Sequence, residues 1–425
     1  MITIYTKSVT KRLQYTVDFI FNEICSLPFT ISSDIQTLNG FVINYSNEQI
    51  VVPSYHICPS GLLDDESKLY PEIVSLKDQL FQLFPSENAD HQFDVFSAIF
   101  FLITRMEEYE AKEVDEHGRY ISSQSILVQH KVNHIPIVDV WVYDLIDQLN
   151  HCFHSNFQLS RKYKQYVTID IDNAYAFKYK GFWRSLGGTV KDGITNKTKF
   201  KQRLDLWKGD SDDPYDTYGY LNSFSKKLSL EVVFFILLGD YAKYDKNIDH
   251  NHPKMIELLG QLKKFGQLGI HPSYQSFGKP HLINQEKERL KDCIDSNVSH
   301  SRFHFLRYTM PGSYRNLLKC GIENDYSMGY ADQYGFRAGT CTPFYFYDLK
   351  SESKTSLKIH PFAYMEGVLK DYYAMDTKEA TNSINQLKET VQKVNGVFTS
   401  IWHNESLSDK DRWKGWRSVF ESSWV

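Results

Sequence analysis

The chain has 425 residues, is rich in aromatics with 28 Tyr and 28 Phe, and carries a formal net charge of −4 with a pI near 6.4. Such a length suits roughly two domains, one of about 150 residues and one of about 250, with ample chain for a sizeable core. A near-balanced charge with no Lys/Arg run long enough to follow a phosphate backbone argues against a nucleic-acid partner.

In chain order, the opening MITIYTKSVTKRLQYTVDFIF mixes charges throughout and lacks the apolar core and small-residue cleavage site of a secretion signal. The most apolar runs, 95–103 and 232–238, fall short of the ~20 residues that span a bilayer, so no membrane span is expected. Six cysteines at 25, 58, 152, 293, 320 and 341 form no CxxC pair and suit reduced thiols in a soluble, cytoplasmic protein.

Residues 1–160 are expected to form a smaller α+β domain without concentrated chemistry. Within it FDVFSAIFFLITRMEEY (93–109) has helical apolar spacing and reads as a buried helix; HIPIVDVWVYDLIDQLN (134–150) reads as a second, with Asp139 near its start. His117, His130 and His134 have no partners at ligand spacing and are not read as metal ligands. The boundary is placed at RKYKQ, 161–165, leaving 161–425 as the second domain.

The next stretch, YVTIDIDNA (166–174), organises the remainder. Side chains two apart in a strand share a face, so Thr168, Asp170 and Asp172 line one side while Val167, Ile169 and Ile171 line the other. Two such close carboxylates resist ionisation unless a metal, a basic side chain or a shared proton compensates them. Further strand candidates lie at 230–238, 268–272, 302–308, 324–330, 335–340, 356–365 and 396–404, with amphipathic helices at 252–266, 284–296 and 377–394. That alternation predicts an α/β fold, a distorted (β/α) barrel of seven or eight strands. The Lys-, Asp-, Trp- and Gly-rich stretch 181–220 reads as a long loop or insertion over the barrel mouth.

Barrel sites form at the carboxyl ends of strands, and there Asp170, Asp172, His271, Arg302, His304, Arg337 and His403 collect. A catalytic zinc takes three protein ligands and keeps an open position, and Asp and His from different strands would supply them. Read singly, His271 is a turn residue before Pro272, His403 a strand-end imidazole on a backbone carbonyl, and Arg337 a structural ion-pair partner.

The ordered set TIDID, GIHPSYQS, RFHFLR, GFRAGTCTPF and IWHN resembles the motifs of polysaccharide deacetylases, carbohydrate esterase family 4, over about residues 166–404. The N-terminal part resembles a domain that precedes some bacterial members. The resemblance implies a metal-dependent hydrolase, with a divalent ion such as zinc, removing acetyl from an N-acetylated sugar or polysaccharide precursor. Asp170 then matches the catalytic base, Asp172 and His271 metal ligands, His403 the acid and Arg302 the arginine that orients the base. The family's second histidine is Gln275 here, and His304 is the candidate for the vacancy. Tyr274 and Arg337 are candidates for substrate contacts. In the mechanism so implied, metal lowers the pKa of water to ~7, Asp170 takes its proton and His403, titrating near ~6.5, donates to the leaving amine. A hydrolase of another amide or ester, or a non-catalytic carbohydrate-binding relative that lost its metal with the histidine replaced by Gln275, are the alternatives.

Overall fold

The structure, a computed structural model, describes residues 1–64, 70–74, 81–111, 113–209 and 211–424. Strand β1 (Ile2–Tyr5) leads into helix α1 (Lys11–Asp18), whose N-cap Thr10 accepts the Leu13 N–H. With β2 (Phe29–Ser32), β3 (Phe41–Asn44) and β4 (Ser54–His56) it forms a sheet in the order β2-β1-β3-β4. All its ladders are parallel, so this part is α/β in style and not the α+β arrangement expected. A two-stranded ladder, β5 (Ile73–Val74) with β6 (Gln82–Leu83), precedes α2 (Val95–Ile103), α3 (Ile126–Gln129) and α4 (Ile137–Phe153). The expected apolar helix is α2, buried on every side, capped by Asp94 and ended where Arg105 turns left-handed at φ 54°.

The second part follows as β7 (Lys164–Ile171), α5 (Phe182–Thr195), α6 (Lys197–Lys208), α7 (Tyr218–Leu228), β8 (Glu231–Ile236), α8 (Pro253–Leu262), β9 (Gln267–Ile270), α9 (Pro280–Ile294), β10 (His300–Ser301), α10 (Gly312–Lys319) and β11 (Asn324–Asp325). It closes with β12 (Phe344–Asp348), β13 (Ser353–Ile359), β14 (Tyr364–Met365), α11 (Thr377–Lys393), β15 (Val397–His403) and α12 (Trp416–Ser422). Its sheet runs β12-β13-β11-β10-β9-β8-β7-β15-β14, parallel except for the β12/β13 pair.

A continuous barrel ladder is not formed among the described residues. Instead the segment 353–365 kinks: His360 and Phe362 donate to Asp325 and Met328 on one side, and Ala363 then donates to Thr399 on the other. Gly329 permits this approach, since a Cβ there would lie 2.2 Å from the Phe362 ring.

Four expected elements change. RFHFLRY is no strand: pairing stops at Ser301, and Phe305 and Leu306 take φ of 60° and 50°. GFRAGT is a turn with Gly335 and Gly339 at positive φ, and the 324–330 strand is only two residues long. The stretch 181–220 is not a long loop but carries α5, α6 and the start of α7.

One hydrophobic cluster runs through both halves, from Ile4 and Phe100 to Tyr347 and Trp402. Buried polar contacts cross the same boundary. Asp139 accepts from Arg161, Thr340 and the Cys341 N–H, and Arg337 grips Glu108 through two hydrogen bonds of 2.6 and 2.8 Å. Burial alone would raise the Glu108 pKa, but Arg337 and Arg105 outweigh it and hold the carboxyl below its ordinary value. Removing Arg337 leaves the buried Glu108 with Arg105 alone and one oxygen unpaired, so Arg337→Met should cost on the order of 3 kcal/mol, read as a lower urea midpoint.

His91 in the first half is 1% exposed, with Nδ1 beside the Tyr55 hydroxyl and Gln148. Burial pushes its pKa down to about 4. A histidine held neutral contributes stability that is present above ~6.5 and is lost as pH falls toward 4. In His91→Gln, urea unfolding should lose less stability over that window than in the parent protein.

Candidate functional site

The parallel strands deliver their carboxyl ends to one place. Asp170 lies at the end of β7 and Asp172 just beyond it; His271 follows β9, Arg302 and His304 follow β10, Glu366 follows β14, and His403 ends β15. Ligating atoms of Asp172, His271 and His304 all lie within 4.8 Å of one another, the one such His/Cys/Asp/Glu cluster found among the described residues.

Imidazole orientation tests whether this trio suits a cation. The Nδ1 of His271 sits 2.6 Å from the Arg302 carbonyl, which can only accept, so Nδ1 carries the proton and Nε2 presents a lone pair. That Nε2 faces Asp172 Oδ1 at 3.1 Å, yet Oδ1 is buried without a hydrogen-bond partner. Two acceptors turned on each other call for a cation between them. His304 repeats the pattern, with Nδ1 3.0 Å from Asp245 Oδ1 and Nε2 3.3 Å from Asp172 Oδ2. Two imidazoles and a carboxylate, each histidine backed by an oxygen acceptor, are a donor set that zinc accepts. The electrostatics agree. Burial opposes a charge on His304, but Asp172 and Asp245 outweigh it and push its pKa up to about 9: the spot demands positive charge. For Asp172, burial raises the pKa but His304 brings it well below the usual carboxylate value.

Asp170 is held separately. It is 3% exposed, and the fully buried Arg302 donates from Nη1 to its Oδ1 at 2.8 Å. Arg302 is fixed by the Tyr326 carbonyl and stacks 4.5 Å from the Phe235 ring. His403 contacts the buried Glu366 through Nδ1 at 2.8 Å and turns Nε2 toward Asp172 Oδ2, 3.8 Å away. Burial opposes its charge, but Glu366, aided by Asp172 and Asp170, lifts its pKa well above the ordinary value, not near the ~6.5 expected.

These groups open on a pocket of about 250 Å³, lined also by Arg119, Phe305, Met365 and Trp413. A larger cavity of about 380 Å³ lies past the ends of β1, β3 and β4, lined by hydroxyls such as Thr6, Ser8 and Ser46, and shares no lining residue with this pocket. Thus Asp170, Asp172, His271, Arg302, His304 and His403 come together. Arg337 does not: it is buried on Glu108, as its structural reading had it. Tyr274 lies outside the pocket lining, its hydroxyl 3.2 Å from His117 and its ring 4.0 Å from the Arg307 guanidinium. Gln275 is exposed and outside the donor cluster. Sequence reasoning passed over Asp245 and Glu366, carboxylates in YDKNID and AYMEG, because neither sits at ligand spacing from a histidine in the chain.

A family of unknown function, DUF7033, matches residues 2–154. No curated protein matches. Among solved structures, a presumed polysaccharide deacetylase from Mycobacterium smegmatis is 11% identical, with 63% of this chain and 84% of that one covered and a TM-score of 0.39. The polysaccharide deacetylase Bc1974 from Bacillus cereus gives 12%, 62% and 86%, and 0.29. A de-N-acetylase from Aggregatibacter actinomycetemcomitans gives 11%, 40% and 88%, and 0.22.

Outer oxygen partners of metal-bound histidines typically govern affinity ~10–100-fold. Asp245→Ala should therefore weaken zinc binding by about that factor in a competition titration, with circular dichroism unchanged. His304→Ala should empty the site as His271→Ala does.

Proposed function

We propose that the chain is a metal-dependent hydrolase that removes acetyl from an N-acetylated sugar, with residues 161–425 forming the catalytic unit on a distorted barrel and residues 1–160 an accessory unit. The carrying observation is the division of labour around one pocket: a three-donor cluster, a carboxylate held by arginine and an imidazole held by glutamate. The ordered motifs from TIDID to IWHN supply the deacetylase reading. His304 takes the donor role that Gln275 lacks, which favours a working metal centre over a binding relative. The pocket lies at the small end of ligand sites, suited to an acetamido group and the ring that bears it. Free thiols throughout the described chain accord with a cytoplasmic setting, and among the described residues no helix is long and apolar enough to cross a membrane.

A divalent ion such as zinc, held by Asp172, His271 and His304, would supply a Lewis acid and water of lowered pKa. Asp170, aimed by the Arg302 guanidinium on its Oδ1, takes the proton of the attacking water at its Oδ2. His403 carries its proton on Nε2, since Glu366 takes up Nδ1, and passes it to the amine nitrogen as the C–N bond breaks. Phe305, Leu306 and Trp413 give the pocket an apolar wall.

Asp170→Asn should keep the metal, because Asp170 is assigned to proton transfer and not to coordination, while acetate release from acetylated sugars falls ~100 to 10,000-fold. Asp172→Asn should lose metal and activity together. Wild-type turnover in Asp170→Asn, or an emptied site there, would reverse the assignment of the two aspartates.

A further inference from the structure

The α5–α6 hairpin is amphipathic in the wrong sense for a helix pair packed on its own protein. On α5 the apolar positions recur every four residues and face outward: Phe182 is 72% exposed, Leu186 44%, Val190 57% and Ile194 82%. Its inner side is polar, with Thr189 buried and Asp192 2.6 Å from the buried Arg203 of α6, an ion pair that pins the two helices together. On α6 Trp207 is 60% exposed. An apolar row this long in water marks a surface that something covers.

Charge identifies the cover. Between residues 178 and 208 nine Lys or Arg stand against two Asp, in a chain whose net charge is −4. Lys191 on α5 and Lys197, Lys199, Lys201 and Lys208 on α6 are all exposed. A second copy would set lysines against lysines, whereas an anionic surface neutralises them while the row inserts. Exposed apolar side chains including Phe and Trp, flanked by lysines on a helix of moderate length, have the composition of a segment lying in the plane of a bilayer interface.

We propose that the α5–α6 hairpin docks the protein on an anionic lipid bilayer, with Phe182, Leu186, Val190, Ile194 and Trp207 entering the interface and the lysines contacting headgroups. The hairpin adjoins the site. Lys199, Gln202 and Arg203 line a cleft of about 230 Å³ together with Glu405, Arg412 and Trp413, and these last three also line the metal pocket. Resting on the hydrolase reading, the substrate sugar then reaches the pocket from the bilayer surface.

The test is co-sedimentation of the full chain with phosphatidylcholine vesicles, with and without phosphatidylglycerol. Binding is expected only to the anionic vesicles and should weaken as salt rises. Phe182→Ser with Ile194→Ser, and separately Lys197→Glu with Lys201→Glu, should each lower the partition coefficient at least about ten-fold. Metal content and hydrolysis of a water-soluble acetylated sugar should stay at the wild-type level in both. No binding to anionic vesicles, equal binding to neutral ones, or undiminished binding by the Phe182/Ile194 variant would overturn docking. So would wild-type self-association in sedimentation velocity that the same variant abolishes. Vesicle binding by a protein that releases no acetate from any sugar would strike the hydrolase reading and leave docking intact.

Discussion

Two carboxylates at the end of one strand repel, and the site depends on giving each a different compensator. Asp170 receives Arg302, a permanent cation buried where it cannot move away. Asp172 receives two imidazoles whose Nε2 atoms both face it, an arrangement that needs positive charge, from a proton or a metal ion, to be favourable. Because the compensators differ, one aspartate keeps an oxygen free, as the proposed proton transfer requires, while the other faces the three-donor cluster.

Sheet register enforces that separation. On β7, Asp170 lies opposite Phe235 of β8 and His403 of β15, so the carboxylate and the imidazole of the proposed proton relay are ladder neighbours. Their spacing is a backbone property and does not rest on loop conformation. The groups behind the ligands come instead from loops: Asp245 lies between β8 and α8, and also accepts the Tyr274 and Gln275 N–H groups, which ties the His271 loop to His304. A rigid sheet aims the strand-end groups, and buried oxygen acceptors, the Arg302 carbonyl and the Asp245 and Glu366 carboxylates, orient the imidazoles.

The N-terminal part is joined to this sheet more closely than an appended module. Arg119 lines the pocket and donates to the Phe305 carbonyl, while Arg12 pairs with Glu352 beside β13. Contacts of this kind fix the irregular segment 302–308, which has no ladder of its own to hold it.

Much of this was legible in the residues alone. The alternation in YVTIDID shows a strand that carries Asp170 at its end with Asp172 just past it, and the amphipathic spacing of 252–266 and 377–394 shows the helices that cover the sheet. Both signals are local, because side-chain direction repeats every two or 3.6 residues wherever the chain is regular. Three things escaped that logic. RFHFLRY has the composition of a strand, but beyond Arg302 its backbone N–H groups go to the Ser327 side chain, to Pro272 and back into the segment itself. Arg337 looks like a site residue in GFRAG, yet Glu108, distant in sequence, takes it into the core. Asp245 and Glu366 gain their roles only by meeting histidines 59 and 37 positions away. A residue's periodicity is written beside it in the chain, but the partner of a buried charge is chosen by whatever packing brings within about 3 Å, and only the folded chain decides that.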